Sequence, residues 1–203
     1  MKNFAVLSFI LLLALSNLSC SVYKTIVNVS RLKFKLGSVE NIELSDVKLD
    51  NKKSLSDFNS IEVIKLTASV ARRSMPLTFI LNVEAINPND GTGGYPRTDI
   101  TLKSFPWKLY IDDKETVSGN IEKPVVIPGT DETVKIPIRA DVDLFKFFRD
   151  KEYEDLVNLA LAINRTKGTS AKLVLYAQPT VTTPIGDITY PGQLKIVGMN
   201  FTN

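Results

Sequence analysis

Carboxylate pairs are the first place to look for chemistry in this chain, because its 203 residues include no histidine. That absence removes the commonest general base, the serine and cysteine triads that rely on it, and the commonest metal ligand. The pairs are Asp112 with Asp113, Asp131 with Glu132, Asp141 with Asp143, and Glu152 with Glu154 and Asp155. Two carboxylates can run a glycosidase or hold calcium. Each pair here also has an ordinary structural explanation, as a hairpin turn, a second turn, a helix cap and a solvated helix face respectively. No calcium-loop spacing is present. The loop Asn89-Asp90-Gly91-Thr92-Gly93-Gly94 has the glycines of a phosphate cradle but not the Lys-Ser/Thr that would follow, nor a strand-to-helix setting. The chain is therefore expected to be no enzyme, to hold no metal and to need no cofactor.

One residue has chemistry of another kind. Cys20 is the only cysteine, and it sits behind an apolar run from Phe4 to Leu15 that follows Lys2. A dozen apolar residues are too few to cross a hydrocarbon core that needs about 20 helical ones, so the run reads as a secretory signal peptide. The segment Leu15-Ser16-Asn17-Leu18-Ser19-Cys20 resembles the lipobox of bacterial lipoproteins, with small Ser19 before the cysteine and Leu18 before that. It departs from the usual form at Asn17, where an aliphatic residue is commoner. What the resemblance implies is cleavage before Cys20, a thioether-linked diacylglycerol and an N-terminal acyl chain, which together give stable membrane anchoring. The mature chain would sit in a bacterial envelope. Ser21 in place of the aspartate that favours inner-membrane retention points to the outer membrane.

Residues 1–19 are accordingly expected to be the signal, 20–40 a lipidated tether with a docked segment, and 41–203 one domain. Removing the signal leaves about 184 residues, enough for one sandwich or barrel with a sizeable core. The formal charge of +3 includes Lys2, so the mature chain is close to balanced and no nucleic acid is expected as a partner. The pairs Arg72-Arg73 and Lys52-Lys53 and the alternating Arg31, Lys33 and Lys35 fit solvated loops and strand faces. A lone cysteine excludes an intramolecular disulfide, so burial and backbone pairing must hold the domain. The Asn-x-Ser/Thr sequons at Asn28, Asn164 and Asn200 would matter only in a eukaryotic secretory route.

From Ile42 onward the dominant period is two, the mark of half-buried strands. Leu77, Phe79, Leu81, Val83 and Ala85 alternate with Thr78, Ile80, Asn82 and Glu84. Trp107, Leu109 and Ile111 form a second such set, and Val134, Ile136 and Ile138 a third. Pro137 cannot donate to a ladder, so the third strand must lie at an edge or be broken by a bulge. Asn87 to Gly94, Asp112-Asp113, Pro128-Gly129 and Pro191-Gly192 can reverse the chain between strands. One stretch, Asp143 to Asn164, changes to spacings of three and four at Leu144, Phe147, Phe148, Leu156, Leu159, Ala160 and Ile163, which predicts a helix capped by Asp141 or Asp143 and released at Gly168. Its Phe145, Phe147 and Phe148 fit a core, with a ligand tunnel as the alternative. A strand from Ala171 to Gln178 and a last pair between Val181 and Phe201 complete a mainly β domain.

Asn87-Pro88-Asn89 closes the Leu77 strand, and is followed by Trp107-Lys108-Leu109-Tyr110-Ile111-Asp112-Asp113-Lys114 and then Val126-Ile127-Pro128-Gly129-Thr130. This order resembles the type 2 late embryogenesis abundant proteins, whose domain is also called the water stress and hypersensitive response domain. The match runs from about Ile42 to Phe148, with an echo in Thr183-Pro184-Ile185-Gly186. It implies a seven- or eight-stranded antiparallel sandwich, immunoglobulin- or fibronectin-like, with one α-helix. Asn87, Pro88 and Asn89 themselves have a structural reading: proline fixes its own backbone and extends the residue before it, while asparagine amides bond nearby backbone. The function expected is that of a lipid-anchored, non-enzymatic protein that protects or binds other molecules in the envelope under desiccation or other stress. The alternatives are binding or transfer of a lipid or apolar ligand, and assembly with an envelope complex. Partners are thus the membrane, protein clients or a lipid.

Overall fold

The computed structural model describes residues 23–164, 173–198 and 201–202. Cys20 and the lipobox, Gly168, the start of the Ala171 strand and Asn200 lie outside those residues.

Residues 23–30 are helical (α1) and lead into β1 (Lys33–Leu44), which is twelve residues long and begins inside the stretch read as docked. A two-residue β2 (Val47–Lys48), a 3₁₀ turn (Leu55–Asp57) and α2 (Ser60–Ala71) follow. β3 (Pro76–Ile86) and β8 (Thr133–Asp143) complete the first sheet, in the order β2-β1-β3-β8. Between them come β4 (Ile100–Ser104), β5 (Trp107–Ile111), β6 (Lys114–Gly119) and β7 (Val125–Ile127). After β8 come α3 (Leu144–Phe147), α4 (Tyr153–Asn164), β9 (Leu173–Ala177), β10 (Thr180–Thr183), β11 (Gly186–Thr189) and β12 (Leu194–Ile196).

The remaining strands form two sheets with matching orders, β11-β10-β4-β7 and β12-β9-β5-β6. Position by position, each strand of one is the chain neighbour of a strand in the other, and a proline stands at every break: Pro106 between β4 and β5, Pro124 between β6 and β7, Pro179 between β9 and β10, and Pro191 between β11 and β12. Proline offers no N–H to the ladder, so four prolines in a row across neighbouring strands crease what would otherwise be one sheet. Gln178 N donates to Pro106 O (3.0 Å) and Tyr190 N to Pro179 O (2.9 Å) across the crease. Counted this way the fold is an antiparallel β-sandwich with four strands in each layer, eight in all. Every pairing is antiparallel.

The alternation expected for β3 holds: Leu77, Phe79, Leu81, Val83 and Ala85 are buried between the layers. Phe34 on β1 meets Phe105 at the crease with ring centroids 5.5 Å apart, a contact between the two layers. Pro137 lies opposite Asn82 in an unbroken register with β3, and among the described residues β8 has no strand partner on its other side, so the edge placement is borne out and no bulge is needed. The bulges fall instead on β1, between Leu36 and Val39 and between Glu40 and Glu43. Gly37 sits in the first, where a Cβ would stand 2.8 Å from Glu84 Oε1.

The helices differ from the single one expected. The Asp143–Asn164 stretch is two helices, because α3 ends after one turn at Phe148 (φ −124°, ψ 51°) and α4 begins at Tyr153. Asp143 rather than Asp141 caps it, accepting from Phe145 N at 3.0 Å. Helix α2 is additional, opened by a capping box in which Asn59 accepts from Glu62 N and Glu62 accepts from Asn59 N.

Candidate functional site

Asn87, Pro88 and Asn89 end β3 at the pole where α1 packs. Both asparagines are 0% exposed. Asn87 Nδ2 donates to Thr98 O (2.8 Å) and Ile127 O (2.9 Å), and its Oδ1 accepts from Asn89 Nδ2 (2.8 Å). Asn89 Nδ2 also donates to Asn28 O (2.8 Å), while Asn89 Oδ1 accepts from the Arg31 guanidinium (2.9 Å). The backbone joins in, with Asp131 N donating to Asn87 O and Thr98 N to Asn89 O. Gly129 completes the knot: a Cβ there would lie 2.2 Å from Asn89 O, so no other residue fits so close to the backbone. The tripeptide is thus a polar tie between α1, the 96–99 segment and the turn after β7. Its two asparagine side chains bond to the protein itself.

The carboxylates take ordinary structural roles, though Asp141 has an ion pair in place of the cap read for it. Asp112 and Asp113 form the β5–β6 hairpin turn with φ of 47° and 64°, the left-handed geometry such two-residue turns demand. Asp131 donates its N–H to the asparagine knot, and Asp141 pairs with Arg139 at 3.1 Å on the outer face of β8. Asp143 accepts from Ser74 Oγ and Met75 N as well as capping α3. Glu154 and Asp155 stand in the first turn of α4. Among the described residues no three His, Cys, Asp or Glu side chains gather closely enough to hold a metal ion. The glycine loop is an Asx turn, with Thr92 N and Oγ1 both donating to Asp90 Oδ1, and these bonds hold the Asp90 carboxyl below its ordinary range. On β5 and β6, Glu115 accepts from Tyr110 Oη (2.8 Å) and pairs with Lys108 (3.0 Å); the bond to Glu115 pushes the Tyr110 phenol up, which makes it a poorer acid.

The feature open to a ligand lies on the side of the sandwich, where the 119–125 segment runs beside the edge strand β8. A groove of about 620 Å³ opens there, within the size range of small-molecule sites. Trp107, Val117, Ile121, Val125, Ile136 and Ile138 give it an apolar wall. At its rim stand Glu122, Lys123, Arg139 and Asp141, two of each sign. Trp107 is 5% exposed and its indole N–H has no hydrogen-bond partner. The ring lies across Gly119, its partner in the β5–β6 register, where a Cβ would fall 2.6 Å from the ring carbon Cζ2. A smaller cavity of about 230 Å³ lies beside α1, with Asn28 among its walls.

Phe145, Phe147 and Phe148 do not line the groove. Phe148 is buried and the other two pack half-buried against the core, so the core reading of this cluster is borne out and the tunnel is not. Neither Trp107 nor Gly119 stood out in sequence, where the tryptophan is one more residue of an alternating strand and the glycine one more strand end.

No family model matches the chain. No curated protein matches it either. Among solved structures, a protein from Archaeoglobus fulgidus is similar over 79% of this chain and 94% of its own at 10% identity, with a TM-score of 0.33. The solution structure of AT1g01470 from Arabidopsis thaliana is similar over 81% of this chain and 83% of its own at 17% identity, with a TM-score of 0.34. Likenesses this distant carry no argument about what the present chain does.

Proposed function

We propose that this chain is a lipid-anchored, non-enzymatic envelope protein with a domain of the type 2 late embryogenesis abundant kind, acylated at Cys20 and serving to bind or shield other molecules under desiccation or related stress. The observation that carries the reading is the asparagine knot. Two of the three pieces on which the resemblance rests, Asn87-Pro88-Asn89 and Val126-Ile127-Pro128-Gly129-Thr130, meet at 2.9 Å through Asn87 Nδ2 and Ile127 O, 40 residues apart in the chain. The Trp107–Lys114 piece lies outside this contact, on β5 and the turn after it. The test is protection: a dehydration-sensitive enzyme is dried with this protein at sub-stoichiometric to stoichiometric ratios and its activity measured on rewetting. Protection no better than that of an unrelated sandwich at equal mass removes the stress role.

A second reading, binding of an apolar ligand, is favoured by the groove beside β8. An apolar wall of this size suits an acyl chain or an apolar ring system. Trp107 is the only tryptophan, so its emission reports the groove alone. Titration with a brominated fatty acid is expected to quench that emission in a saturable way. Gently purified protein is expected to show a ligand-sized excess mass, and a clean apo mass with unquenched emission counts against this reading.

A further inference from the structure

Helix α2 is apolar on two opposite sides. Leu66 is fully buried and Val70 packs against the core. Away from the core, the helix turns Ile61, Ile64, Thr67, Ala68 and Ala71 to one side, at spacings of three and four, without a charge among them. Ile61 is 69% exposed and Ile64 67%, and Val63 next to them is exposed as well. A helix on a protein surface ordinarily spends that side on charged residues, and one that is apolar all round is covered on both sides. Along one flank of the uncharged strip stand Lys65 and Arg72, seven residues apart, with Arg73 just beyond the helix, all exposed. The nearby acids are engaged by the chain itself: Glu62 closes the capping box and pairs with Lys52 at 2.8 Å, and Asp57 accepts from Lys53 N and Ser54 N.

We propose that α2 docks in the interface of an anionic bilayer, with Ile61 and Ile64 among the upper acyl segments and Lys65, Arg72 and Arg73 against the phosphates. An apolar strip edged by cations is the arrangement that such interfaces bind. A second copy in antiparallel pairing is the poorer occupant, because a two-fold axis across the helices brings the two cationic flanks together. The inference stands on α2 alone and does not depend on acylation of Cys20 or on the stress role. If the chain is acylated there, docking becomes intramolecular and is strengthened accordingly.

The test uses the full chain with Cys20→Ser, so that one introduced cysteine carries an environment-sensitive fluorophore. With Thr67→Cys the label sits in the strip; with Ile185→Cys it sits on the β10–β11 turn as a control. On vesicles of phosphatidylglycerol and phosphatidylethanolamine, the label at position 67 is expected to shift blue and to be quenched by nitroxide lipids, while the label at 185 stays in water. Lys65→Glu with Arg72→Glu, both exposed and outside the core, is expected to weaken the response about tenfold, as are vesicles of phosphatidylcholine alone. Trp107 emission verifies that these variants remain folded. Three results would each overturn the proposal: a label at 67 that stays in water on anionic vesicles, equal responses on both vesicle types and in the charge variant, or shielding that needs no lipid and grows with protein concentration.

Discussion

Asn87 ties separate segments of this fold together through one side chain. Its amide serves two backbone carbonyls from different segments and receives the amide of Asn89. Asn87→Ala strands those groups in a buried site, so a loss of about 3 kcal/mol in unfolding free energy is expected from urea titration. Gly129→Ala is expected to cost a similar amount by driving the turn off Asn89 O. Tyr190 gives a pH signature: its hydroxyl donates to Val29 O at 2.6 Å, and burial raises its pKa far above the ordinary value near 10. The unfolded chain then loses this proton first, so its stabilisation is complete below about pH 10 and falls as pH rises beyond it. Tyr190→Phe is expected to flatten that alkaline limb in denaturation followed against pH. Proline's constraint and the asparagines' structural work were legible in the tripeptide itself. Their partners Asn28 and Arg31 were not, since they come from 58 to 61 residues earlier, in the stretch read as tether and docked segment, and no local period records so distant a contact.

Strand placement was readable wherever one face is buried and the other wet, which makes the period of two visible: β3, β5 and β8 all fall where alternation put them. Helix α2 was not readable because its apolar residues face both ways, and a stripe cannot be seen when both sides carry one. Its Asn59 cap was the available signal. Asn59→Ala is expected to lower stability by about 1 kcal/mol in thermal or urea unfolding. The crease of the second layer was also hidden, as each proline reads alone as a turn, and only the sheet order aligns the four. Pro137 has a different duty. It pairs with Asn82 in an unbroken ladder, so its nitrogen points away from β3 toward the open edge. Pro137→Val adds an outward N–H to that edge, and light scattering is expected to show more self-association.

At the scale of the molecule, eight strands in two layers make a body that presents, among its described surfaces, a side groove and the outer strip of α2. Neither surface requires catalysis. Both gain from being held close to a bilayer, which is the service Cys20 is proposed to supply. Whether the chain is fastened there is therefore the central question. Labelled palmitate fed to the producing cells, followed by fractionation of wild type and Cys20→Ala, reads this directly. Label in the wild-type protein, none in the variant and release of the variant from the membrane fraction are the results expected; an unlabelled wild type, with the variant equally membrane-bound, would contradict it.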